Sequence, residues 1–278
     1  MGIFDGCLLA CDIDGTLVEN GFINPRNLQK IEYFFKEGGK FSLSTGRSVG
    51  AISDVLKLLK KVSPSIVANG CMIYDYENEK SLYEAYISSE DYSITKQIVE
   101  NKMNIGVEIH SGDNVFAVRC TNESDDHQSY EKITAQKVSF DYACNFKWNK
   151  AIFMFDSFDD REFFKKSATI ESENSDFIDT CATFGGRTRY YYEQLPKGVS
   201  KAETLLKLKD ILSIKDGGLF AIGDYYNDLG MIKCADIGAA TLDAPDDIKM
   251  FAEFVTGSCK DGAVADFIEY LTGKFSAK

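Results

Sequence analysis

The chain of 278 residues is 44% apolar and 27% charged, with a formal net charge of −12. These values describe a globular protein of one large or two unequal domains and exclude a disordered or fibrous one. The acidity argues against nucleic acid and anionic membranes as partners. It also means that any anionic substrate needs local positive charge from a metal, a lysine or backbone N–H groups.

The segment before Cys7 has no basic residue, and Cys7 to Ala10 is too short for a signal-peptide core. No apolar run approaches the ~20 residues needed to cross a bilayer, so a cytoplasmic location is expected. Cys7 to Asp12 is a continuous apolar run ending in an acid, the pattern of a strand buried on both faces of a parallel sheet. Asn24-Pro25 reads as an N-cap and a first-turn proline, opening a helix through Ile31, Phe34 and Phe35 that stops at Gly38-Gly39. Lys40 to Ser44 is a second strand, Ile52, Val55, Leu56 and Leu59 follow at helical spacing, and Ser65 to Ala68 is a third strand. Alternating strand and helix predicts an open α/β sheet with right-handed crossovers.

After Asn69-Gly70 the rhythm changes. Cys71–Tyr76 and Ser81–Tyr86 read as a hairpin. From about Ser88 to Tyr191 the expected order is helix, two strands, helix, strand, helix, and two strands around Gly185-Gly186. That order suggests an α+β module with an antiparallel sheet. Lys201 to Leu212 is again helical, Leu219 to Asp224 is an apolar strand ending in an acid, and a helix around Met231 and a short strand near Ile237 follow. The economical fold class is one α/β domain interrupted by an inserted α+β domain. The expected division is residues 1–84 and 192–278 for the core and 85–191 for the insertion.

Four segments carry chemistry: Asp12-Ile13-Asp14-Gly15-Thr16, Ser44-Thr45-Gly46-Arg47, Lys201, and Gly223-Asp224-Tyr225-Tyr226-Asn227-Asp228. Three lie where an apolar strand ends, the edge at which open α/β sheets bind ligands. Asp12, Asp14, Asp224 and Asp228 would then repel one another in one cleft. A hard divalent cation such as Mg²⁺ resolves that, bound by carboxylates together with a substrate phosphate. Asp12 is the candidate nucleophile, forming an aspartyl phosphate, and Asp14 is placed to protonate the leaving alkoxide and then activate water. Thr45 and Gly46 offer a hydroxyl and backbone N–H groups to phosphoryl oxygens, and Lys201 a permanent charge.

In this order the segments resemble the four signature motifs of the haloacid dehalogenase-like phosphohydrolases. Lys197 to Lys201 and Gly223 to Gly262 resemble the Cof-type branch in particular. The resemblance implies a mobile cap on a Rossmann-like core, with Asp12, Asp14 (through its backbone carbonyl) and Asp224 as Mg²⁺ ligands. It further implies that Asn227 binds substrate phosphate or orients Lys201, and that Asp228 supports the metal from behind. Thr45 and Lys201 are 156 positions apart, which leaves room for a cap only between the second and third motifs. Ala239-Ala240-Thr241-Leu242 and the bulky Tyr225-Tyr226 depart from the family pattern, at the cleft rim.

The expected activity is a Mg²⁺-dependent phosphatase acting on a small phosphorylated metabolite, with a sugar phosphate leading. A phosphosugar mutase using the same aspartate and a non-turnover phospho-acceptor are the alternatives. The chain is expected to be a monomer or a weak homo-oligomer. Eight cysteines without a Cys-x-x-Cys pair read as buried reduced thiols. His110 and His127 read as surface or structural residues, too few for a zinc site. Tyr190 to Tyr192 read as a packed alternating strand, and Asp159-Asp160 as a helix start. Arg187 and Arg189 read either as cleft residues for a second anion or as a solvated edge.

Overall fold

The computed structural model describes residues 2–101, 103–167, 172–184 and 186–276. The chain forms two compact units, one from Met1–Gly46, Asp54–Tyr83 and Ser200–Lys278, the other from Arg47–Ser53 and Glu84–Val199. The expected boundary after residue 191 falls inside the strand Arg187–Pro196. That strand stays paired to its neighbours almost to its end, with Gln194 opposite Ala151 and Pro196 opposite Ser175, so the core resumes only at Ser200.

The first unit is built on a five-stranded parallel sheet in the order Phe254–Val255, Ile237–Ala240, Leu219–Gly223, Leu8–Cys11, Lys40–Leu43. Alternate side chains of the central strands go to opposite faces. Leu8, Ala10, Leu219 and Ala221 pack with Leu205 and Leu208 of helix Lys201–Ile211 and with Met231. On the other face Phe220 meets Phe275, and Phe4 stacks between Phe275 and Phe34. Both faces are therefore dry, which is why the strand sequences are continuously apolar. Helix Pro25–Lys36 begins as its sequence predicts, with the Asn24 side chain accepting from the Arg26 N–H and proline in the first turn. Ser65–Val67 heads a separate three-stranded sheet with Met72–Asp75 and Lys80–Glu84, linked to the core by a parallel bridge between Ser44 and Ile66.

The second unit is a six-stranded sheet in the order Gln136–Lys137, Asn114–Arg119, Gly106–Ser111, Lys150–Phe155, Arg187–Pro196, Ser175–Phe184. All pairings are antiparallel except that of Gln136–Lys137, a short exposed strand running parallel to its neighbour. Gly185, expected at the last turn, lies outside the described residues. One sheet face carries Val107, Ile109, Ala151, Phe153 and Phe155 in a core with Trp148 and Phe164. The opposite face buries polar groups, Glu108, His110, Lys150, Tyr191 and Glu193, beside Ile152 and Met154.

Both histidines are thus structural, and neither is at the surface. His127 on helix Asn122–Glu131 donates from Nδ1 to Glu108 Oε2 at 2.8 Å and lies 3.5 Å from Glu131 Oε1. Burial opposes its charge, but the two carboxylates prevail and push its pKa up to about 10. Burial and the nearby Lys150 ammonium hold His110 well below the ordinary histidine range. Arg189 is buried and paired with Asp126 and Asp156, while Arg187 is the solvated one. Cys7, Cys11, Cys71 and Cys259 are buried, whereas Cys120 is exposed.

Candidate active site

The parallel ladder runs one residue past three strands. Asp12 N–H donates to Ile222 O at 3.0 Å, Ser44 N–H to Cys11 O at 2.8 Å, and Thr241 N–H to Gly223 O at 3.1 Å. Asp12, Ser44-Thr45 and Asp224 consequently leave the sheet side by side, at the edge where such sheets bind ligands. At Gly15 the turn after Asp14 adopts φ +88°, and a Cβ there would lie 2.4 Å from Asp224 Oδ2. Only glycine allows that approach.

Lys201 begins its helix behind the N-cap Ser200, whose hydroxyl accepts from the Glu203 N–H. Although only 1% exposed, it places Nζ 2.5 Å from Asp12 Oδ1 and 2.6 Å from Asp228 Oδ1. Burial alone would lower its pKa, but the two carboxylates hold the ammonium above its ordinary value. The second oxygen of Asp228 accepts the N–H groups of Asp224 and Tyr225 at 3.0 and 3.2 Å, so both its oxygens are engaged. Asp224 Oδ1 accepts the Thr16 hydroxyl at 2.7 Å. Burial, then the charge of Asp228, drives Asp12 well above the carboxylate range despite Lys201, and the same two causes push Asp224 up to about 7.

One carboxylate oxygen from each of Asp12, Asp224 and Asp228 lies within 4.8 Å of the others, a grouping that could hold a metal ion. The donor set fits a hard divalent cation: oxygen ligands only, partly desolvated, and short of the positive charge that would keep them ionised. The Asp14 carboxylate is outside this trio. Its backbone bridges to Val18 in the turn where Ile13 O accepts the N–H groups of Leu17 and Val18.

Thr45 is buried, and its N–H donates to Ile66 O at 2.9 Å. Gly46 packs against the Asn69 carboxamide, and Asn227 Nδ2 donates to Asn69 Oδ1 at 3.2 Å. The structure therefore gathers Asp12, Asp224, Asp228 and Lys201 directly, and joins Thr45, Gly46 and Asn227 through Asn69. Sequence reasoning gave Thr16 no role, although it lies inside the first motif, and it read Asn69-Gly70 only as the place where the rhythm changes. Its place in the first motif, one helical turn's worth of sequence after Asp12, was the available signal for Thr16. None marked Asn69.

The family profile described as haloacid dehalogenase-like hydrolase matches residues 9–268. Among similar curated proteins, the 5-amino-6-(5-phospho-D-ribitylamino)uracil phosphatase YcsE of Bacillus subtilis is 26% identical over 264 residues, 95% of this chain and 94% of that protein. Phosphoglycolate phosphatase 2 of Saccharolobus solfataricus is 28% identical over 272 residues, 96% of this chain and 94% of that protein. Among solved structures, a haloacid dehalogenase-like hydrolase from B. subtilis superposes with a TM-score of 0.81 at 20% identity, covering 95% of this chain and 99% of that one. With the match spanning nearly the whole chain and the four motifs converging on one sheet edge, the protein belongs to the haloacid dehalogenase-like hydrolases.

Proposed function

We propose that this hydrolase is a phosphatase that releases orthophosphate from a small phosphorylated metabolite, a sugar phosphate first among them, through an aspartyl phosphate on Asp12. One observation carries the reading: a buried carboxylate at the end of an interior strand, 2.5 Å from a buried ammonium and within reach of two further carboxylates. Asp12, the Asp14 carbonyl and Asp224 would hold Mg²⁺. Asp228 stays behind them, because its two oxygens are already committed to Lys201 and to the Asp224 and Tyr225 N–H groups. When bound, the cation neutralises the crowded carboxylates and draws charge from the phosphoryl oxygens.

The chain's own groups supply the rest. Lys201 orients Asp12 and favours its charged form, so that its free oxygen attacks phosphorus as the ester P–O bond breaks. Protonated Asp14 gives its proton to the departing alkoxide, then takes one from the water that cleaves the acyl phosphate and frees Asp12. Thr45, Gly46 and Asn227 bind the phosphoryl oxygens and favour the transition state over the ester. The inserted unit is the cap of this reading and chooses the leaving group. Steady phosphate release from p-nitrophenyl phosphate with Mg²⁺, abolished by Asp12→Asn, is the expected result. No release from that substrate or from a panel of sugar phosphates would overturn it.

A further inference from the structure

The chain leaves strand Ser65–Val67 through three successive residues in the left-handed region: Ala68 at φ +51°, Asn69 at +54° and Gly70 at +101°. Residues with a Cβ adopt this conformation uncommonly, asparagine more readily than most, and such strain persists only where surrounding contacts over-determine it. Here those contacts all lead to one place. The Asn69 N–H donates to Thr45 O at 3.0 Å, and its Oδ1 accepts from Asn227 Nδ2 at 3.2 Å. The same carboxamide packs on Gly46, where a Cβ would sit 3.0 Å from its Nδ2. Gly70 O accepts the Thr204 hydroxyl at 2.7 Å, inside the helix that Lys201 opens, and a Cβ on Gly70 would lie 2.4 Å from Ser200 O. One buried turn thereby touches the loop of Thr45 and Gly46, the side chain of Asn227 and the base of the Lys201 helix.

We propose that Asn69 is a positioning residue for phosphate binding, which sets the plane of the Asn227 carboxamide. This rests on the phosphatase reading and deepens it. The Asn227 amide has two N–H donors. One is spent on Asn69, and the ring of contacts leaves the other at a fixed angle for a phosphoryl oxygen. A binding group whose supporting partner is removed becomes free to rotate, and losing such outer partners costs on the order of 10- to 100-fold in site function.

The test is a double-mutant cycle on kcat/KM for p-nitrophenyl phosphate with Mg²⁺. Asn69→Gly keeps the left-handed turn and the N–H to Thr45 while deleting the carboxamide. About a tenfold loss or more is expected. Asn227→Ala should lose at least as much, and the double variant no more than Asn227→Ala alone. Additive losses, or an Asn69→Gly enzyme with unaltered kcat/KM, would overturn the assignment. A purely structural role would lower the unfolding midpoint yet leave the cycle additive. Should Asn69→Gly fail to fold, Asn69→Ala, which also deletes the oxygen that Asn227 donates to, carries the same cycle, and additivity again refutes. Wild-type turnover lost in Asp12→Asn tests the phosphatase reading separately. Without it, both readings fall; with it and an additive cycle, only the role of Asn69 does.

Discussion

Replacing Lys201 with methionine removes an ammonium that holds two buried carboxylates at 2.5 and 2.6 Å. The methionine fills most of the vacated volume, so the cost is electrostatic. Stripping one partner from a buried pair destabilises by about 3–5 kcal/mol, because the remaining charge stays desolvated. With two carboxylates exposed to each other, Lys201→Met should lie toward the upper end of that range. At about 2–4 °C per kcal/mol for a domain of this size, the midpoint of the catalytic unit should fall by about 10 °C. The loss has a defined pH sense. Asp12, already raised by burial and by Asp228, rises further when Lys201 is gone, and taking up a proton relieves the repulsion. The penalty should therefore be smaller near about pH 5 than near about pH 8. Thermal unfolding by circular dichroism, with a chelator present to exclude divalent cations, reads both quantities. A drop of less than about 2 °C near the higher pH, or a larger penalty at the lower one, would refute the reasoning.

Two further outcomes follow from other parts of the molecule. His127 is raised from 6.5 to about 10 and Glu131 lowered from 4.5 to about 2. Their pairing therefore stabilises the inserted unit fully between those ordinary values, declines as pH rises from 6.5 toward 10, and is lost as pH falls below 4.5 toward 2. Urea unfolding across the alkaline range should show that decline in the wild type and a flatter profile in His127→Gln; parallel profiles would count against the ion pair. Gly15→Ala should cost about 1–2 kcal/mol in backbone strain. It should also raise the Mg²⁺ concentration needed for activity, since the new methyl would displace the Asp224 carboxylate 2.4 Å away. Gly21→Ala, with φ +77° and open space around it, shares the strain but should leave the Mg²⁺ requirement unchanged. An equal rise in both variants would remove Asp224 from the explanation.

The core strands and the acids at their ends were legible because a doubly covered parallel strand must be apolar throughout, and its polar punctuation then stands out. Lys201 was legible only through its company, since nothing about a lone lysine announces that it is buried between two aspartates. Other features were hidden for a common reason: each depends on a partner distant in sequence. Arg189 looked free to be solvated until Asp126 and Asp156 were brought beside it. His127 looked peripheral until Glu108 arrived from a strand beneath its helix. Gln136–Lys137, exposed on both residues, has no hydrophobic alternation to reveal it as a strand. Asn69 is the sharpest case, because Asn-Gly is so good a turn signal that it conceals what the side chain is doing.

The interior place of Leu8–Cys11 in its sheet also dictates an order of events during synthesis. One neighbour, Lys40–Leu43, is made almost at once, but the other, Leu219–Gly223, comes only after the whole inserted unit has been translated. Until then one edge of the strand keeps bare N–H and C=O groups, and Leu8 and Ala10 lack the cover of Leu205 and Leu208. Glu84–Val199 needs almost nothing made after itself, so it can fold first, and once compact it shortens the loop that the core must close. A nascent chain halted before Leu219 would thus carry a finished insertion and a strand bare along one edge, the kind of edge that recruits other chains.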